Sequence, residues 1–124
     1  MKESPLFVKT FDCLKWVLAR TESFPKSQRF LLAKRINDAL FDFYEFIGEA
    51  ALIKDQPQQQ LRRLSEADAR LLHVTHYLRL AMEFQYLSFH QYGHAALLIQ
   101  ELGRLLGSWI KKTKKQLTRP PVEE

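Results

Sequence analysis

Cysteine occurs once in this 124-residue chain, at Cys13, so an internal disulfide is impossible and nothing implies a redox role. With Leu14 and Val17 close by, the thiol reads as a small buried hydrophobe. No apolar run approaches the length of a membrane span, and Met1-Lys2-Glu3-Ser4-Pro5 is too short and polar for a signal peptide. The expectation is a soluble, cytoplasmic protein. Glycine is scarce, with four residues, and there is no glycine-rich phosphate loop, Gly-x-Ser-x-Gly elbow or Glu-x-x-His pair. The strict alternation of a half-buried strand is also absent. These absences point away from an enzyme, a cofactor, a resident metal or a small-molecule substrate.

Four apolar-periodic segments are present instead, and they predict an all-α fold. Ser4-Pro5 opens the first helix, where serine can cap and proline suits the first turn. Phe7, Phe11, Leu14 and Leu18 then share a face, and the helix fades near Glu22. Ser23 to Ser27, with Pro25, permits only a tight reversal into a second helix over 25–54. That helix has a wide apolar arc of Leu32, Ile36, Ala39, Leu40, Phe43, Phe46, Ile47, Ala50 and Ala51, which hints at a second buried contact. Opposite it run Asp38, Asp42, Glu45 and Glu49, read as a solvated or partner-facing stripe.

Asp55-Gln56-Pro57-Gln58 reads as a capping-box start for a third helix. Within it Leu64, Leu71 and Leu78 recur every seven residues, with Ala67, Val74 and Ala81 at the offset positions. Ser88-Phe89-His90-Gln91 repeats the capping pattern and opens a fourth helix. Its core face is Ala95, Leu98, Ile99, Leu102, Leu105, Leu106, Trp109 and Ile110. Short connections between such helices make an up-down-up-down antiparallel four-helix bundle over 1–117 the economical architecture, with 118–124 a disordered tail.

The net charge of +5 and pI near 9.5 favour acidic partners. From Lys9 to Arg35 there are seven basic and two acidic residues, whereas Ile36 to Ile53 holds four acidic residues and no basic one. Candidate phosphate-binding cations are Lys26, Arg29, Lys34 and Arg35 at the start of helix two and Arg62, Arg63 and Arg70 in early helix three. Arg104, Lys111, Lys112, Lys114 and Lys115 complete the set on helix four, where cations also suit the negative end of the helix dipole. Contacts of this kind bind phosphate without reading sequence, so affinity for RNA or DNA should depend on salt.

Two histidine pairs, His73/His76 and His90/His94, could each share a helix face, but neither has an obvious third metal ligand. Trp16 lies about half a turn from the first helix's stripe, flanked by Lys9 and Arg20; an interface and a ring lying flat on neighbours are both compatible with that position. Ala96, Gly103 and Gly107 line an edge of helix four. Glycine costs a helix about 1 kcal/mol relative to alanine, so this edge reads as a close helix contact, inside the bundle or between subunits.

Phe24-Pro25-Lys26-Ser27-Gln28-Arg29-Phe30, Leu78-Arg79-Leu80-Ala81 and especially Leu102-Gly103-Arg104-Leu105-Leu106-Gly107-Ser108-Trp109-Ile110 carry a family resemblance. From about Phe7 to Lys115 the chain resembles the accessory variability determinant proteins of diversity-generating retroelements. These sit in a wider four-helix-bundle family with the proteins encoded in 23S ribosomal RNA intervening sequences. The intervening-sequence branch carries an Asn-Ile-Ala-Glu-Gly type segment where this chain has Glu45-Phe46-Ile47-Gly48-Glu49-Ala50, which favours the retroelement branch. The resemblance implies a noncatalytic accessory factor forming a basic, ring-like homopentamer. Such a factor binds the reverse transcriptase and template RNA and supports mutagenic complementary-DNA synthesis and retrohoming. The alternative is an oligomeric scaffold without nucleic-acid binding.

Overall fold

Pro5 occupies the first turn of the first helix, where a missing N–H costs nothing, and the Ser4 carbonyl accepts from the N–H groups of Phe7 and Val8 at 3.1 and 3.2 Å. The computed structural model describes residues 4–118; the expected tail from 119 onward lies outside them. Helix α1 spans Pro5–Thr21, α2 Leu32–Leu52, α3 Pro57–Glu83 and α4 Phe89–Thr118, with a short 3-10 turn at Lys26–Gln28. Among the described residues there is no strand. Thr118, placed in the tail by sequence, is the last helical residue of α4.

Each helix packs on its neighbours in sequence, and α1 closes the circle on α4. Thr21 meets Asn37, Phe7 meets Tyr44, Ala50 meets Gln60, Asp42 meets Arg70, Phe7 meets Trp109 and Trp16 meets His94. Rising numbers on one helix meet falling numbers on the next, which is compatible with a four-helix bundle. The wide apolar arc of α2 is shared between α1 and α3, so its breadth needs no contact outside the bundle. In that arc Phe46 is half-buried and Ala51 exposed.

The heptad residues Leu64, Ala67, Leu71, Val74, Leu78 and Ala81 are all buried, as their period requires. The core face of α1 differs from the expected one: Leu6, Thr10, Cys13, Leu14, Val17 and Thr21 are buried, whereas Phe11 is 53% exposed beneath the Lys15 ammonium. Two threonines inside the true stripe disguise it. Thr10 is tolerated there because its hydroxyl donates to the Leu6 carbonyl at 2.6 Å. Cys13 is fully buried, and burial pushes its thiol up to about 12, which keeps it protonated and unreactive near neutrality.

Helix α2 begins at Leu32 rather than at Pro25, because Pro25 leads into the 3-10 turn and a bend before the helix starts. The expected cap at Asp55 is also absent: α3 starts after Gln56 with no side-chain hydrogen bond. The Ser88 capping box forms as expected, with the Ser88 N–H donating to Gln91 Oε1 at 2.9 Å and the Gln91 N–H to Ser88 Oγ at 3.0 Å. Before it, Gln85 takes a left-handed φ of 64° and the Tyr86 N–H reaches the Ala81 carbonyl at 2.8 Å, which ends α3.

Candidate nucleic-acid interface

The rotation of α4 at its C-terminal end is set by a residue that is not apolar. Thr113 is buried and donates to Gln60 Oε1 at 3.2 Å, while Gln60 Nε2 donates to the Ala50 carbonyl at 2.9 Å. Gln60 stands one heptad before Ala67, so a glutamine fills the seam position that alanine and valine fill further along. With Thr113 turned inward, a rotation of about 100° per residue spreads Lys111, Lys112, Lys114 and Lys115 over an arc of roughly 160° on the outward side. All four are exposed, and none makes an ion pair among the described residues. Arg62, exposed near the start of α3, and Lys54 add positive charge at the same end of the bundle.

Other cations have carboxylate partners. Arg63 Nε lies 3.2 Å from Glu49 and its Nη1 3.5 Å from Glu66, and Arg70 Nε lies 3.4 Å from Asp42 with its guanidinium over the Phe46 ring. Lys34 contacts Asp38 at 2.6 Å. The carboxylate line of α2 therefore supplies ties within α2 and across to α3, each worth about 0.2–1 kcal/mol at such exposure. Arg104 grips Glu101 through two hydrogen bonds of 2.6 and 3.1 Å. The hydrogen bond from Arg104 holds the Glu101 carboxyl below its ordinary range, and Lys9 stands 3.9 Å away on α1.

The opposite end of the bundle mixes cations with rings. Lys26 in the 3-10 turn and Arg29 just after it line a groove of about 500 Å³ with Leu18, Thr21, Phe24 and Asn37. Arg35 lies in the first turn of α2, exposed and without an ion pair among the described residues. Around them Phe30, Phe84 and Phe89 are 77%, 60% and 82% exposed. The twelve cations read from sequence thus form two terminal groups, with Arg63, Arg70 and Arg104 held along the flanks.

A family model described as bAvd-like matches residues 6–113, nearly the whole helical body. The chain belongs to the bAvd-like family. No curated protein matches it. The family is of an accessory, noncatalytic type.

In this bAvd-like chain Trp16 is half-buried, with its ring lying against neighbouring side chains. Its ring meets His94 of α4 at 4.8 Å between centroids, and the Arg20 guanidinium covers it at 5.2 Å. His94 is thereby engaged in packing, and among the described residues no three His, Cys, Asp or Glu side chains gather to hold a metal ion. Gly103 and Gly107 are not points of close approach inside the bundle. A Cβ on Gly103 would meet Leu71 Cδ1 at 4.0 Å, and one on Gly107 would meet nothing within 4 Å. The edge they occupy is open: Gly103 borders a groove of about 270 Å³ with Leu72 and Thr75, and Ala96 borders one of about 160 Å³ with Tyr92 and Leu78. Among the described residues no helix is long and apolar enough to cross a membrane.

Proposed function

We propose that the chain is the accessory subunit of a diversity-generating retroelement. It acts in the cytoplasm as a ring-like homopentamer of up-down-up-down bundles. Basic surfaces of the ring bind the reverse transcriptase and its template RNA and support mutagenic complementary-DNA synthesis and retrohoming. The observation that carries this reading is the family match over residues 6–113. The outward lysine arc of α4 supplies a surface suited to it, because ammonium groups without carboxylate neighbours release counterions when they meet phosphate. The open glycine edge of α4, unfilled within the bundle, suits the approach of a second copy.

A second reading, an oligomeric scaffold without nucleic-acid binding, is favoured by one observation: Lys34, Arg63, Arg70 and Arg104 already have carboxylate partners. Substitution of Lys111, Lys112, Lys114 and Lys115 together by glutamate separates the two. On the accessory reading, RNA affinity falls on the order of a hundredfold and the salt slope of binding drops by about 3, since each lost phosphate contact on a single strand removes about 0.7. The corresponding glutamine variant, which removes the cations but adds no charge against the helix dipole, should lose a similar slope with less effect on helicity than the glutamate variant. RNA binding that is undetectable in the native chain would leave the scaffold reading, whereas binding unaffected in both variants would remove the lysine arc as the binding surface.

A further inference from the structure

Between α2 and α3, near the ring-bearing end, lies a cleft of about 450 Å³ lined by Phe30, Lys34, Arg35, Asp38, Asp42 and Arg70, with His73 and Tyr77 on its α3 side. That volume lies within the usual range of small-ligand sites, about 300–1,000 Å³. We infer that this cleft is a subsite for one unstacked base of single-stranded RNA, with the base between the rings and the neighbouring phosphate on Arg35. The inference rests on the RNA-binding reading above and narrows it to a structural state of the RNA.

Three observations lead there. The Phe30 ring is 77% exposed at the mouth of the cleft, a position that burial in its own bundle does not explain, and Tyr77 and His73 stand together at 6.4 Å between centroids on the α3 side. Exposed rings beside cations are the combination that holds single strands, because every base offers a flat π-face. Next, the cleft is nearly neutral inside, since Asp38 is engaged by Lys34 and Asp42 by Arg70, so its interior suits an uncharged base better than a run of phosphates. The same carboxylates can accept hydrogen bonds from the amino groups of a base edge. Finally, Arg35 is the cation lining the cleft that has no carboxylate partner among the described residues, which leaves its guanidinium for a phosphate. A duplex cannot use this arrangement, since its bases are paired and stacked.

The test compares binding of a fluorescent unstructured RNA and a duplex RNA of equal phosphate number to the full chain and to its Phe30→Ala variant, by anisotropy over a salt series. Phe30 is so exposed that its loss leaves the core untouched. The expected result is about tenfold weaker binding of the single strand by Phe30→Ala, with duplex binding and the salt slope unchanged. Arg35→Gln should instead lower the slope for the single strand by about 0.7. Equal loss on both RNAs, or no loss on either, overturns the subsite while leaving general RNA binding standing. A drop in oligomer mass for Phe30→Ala, measured by light scattering, also overturns it by showing that a second copy covers the cleft. Failure of the native chain to bind either RNA overturns both this subsite and the function it rests on.

Discussion

The two ends of the bundle are closed by different chemistry. At one end Phe24 meets Tyr86 at 5.6 Å, Tyr86 stacks on Phe84 at 5.7 Å, and Leu87 is buried beneath the turn. At the other, Gln60 links the Ala50 carbonyl to the Thr113 hydroxyl, and no buried side-chain polar atom among the described residues lacks a partner. The first closure leaves rings at the surface between cations, and the second turns a row of lysines outward. The contrast teaches that a basic surface takes its character from what lies beside each charge. Lysines without carboxylates attract phosphate indiscriminately, whereas cations set among rings and carboxylates suit a base.

The comparison breaks most severely at the polar closure. Gln60→Ala leaves the buried Thr113 hydroxyl without its acceptor and takes one of two donors from the Ala50 carbonyl, which keeps the Ile53 N–H at 3.3 Å; the expected cost is about 1–3 kcal/mol, read as a lower urea midpoint. Replacing Gln60 by Leu and Thr113 by Val together should recover much of that loss, because both polar partners leave at once. If Gln60→Ala costs no more than the exposed Gln58→Ala, the lysine end is held by something other than this trio.

The ring end offers a smaller test. Ser88→Ala removes the cap of α4 and should cost about 1 kcal/mol. The two hydrogen bonds of the capping box belong to one Ser88–Gln91 unit, so Gln91→Ala in the same background should add less than it costs alone. Thermal or urea unfolding of the single and double variants gives the coupling, and strict additivity would mean that the two bonds act separately.

Constant period made much of this fold legible. The α3 leucines and the α4 core face repeat apolar residues at helical spacing, and both lie where that spacing puts them. The stripe of α1 is only partly legible, because Thr10 and Thr21 sit inside it while Phe11 sits outside; letters alone do not reveal a hydroxyl satisfied by its own helix. Gln60 is hidden for a related reason, although its place seven residues before Ala67 is a readable signal. The cations were legible as cations, but their partners were not, since pairing depends on which face of α2 turns toward α3. The Gly103 and Gly107 edge was legible as an anomaly, and the fold adds that nothing in the bundle fills it.

Arg62 and Arg63, adjacent in sequence, give the finest version of the contrast. Arg63 is held between Glu49 and Glu66, whereas Arg62 is exposed with no ion pair among the described residues. If neighbouring carboxylates decide the role of a cation, Arg63→Gln should lower stability by up to about 1 kcal/mol and leave the salt slope of RNA binding nearly unchanged. Arg62→Gln should do the reverse, with stability within about 0.5 kcal/mol of the native chain and the slope lower by about 0.7. Urea unfolding and anisotropy on the same two variants supply both readings. Equal behaviour would show that the pairs are too weakly held to compete with phosphate, and the division between binding cations and structural ones would then have to rest on position along the bundle alone.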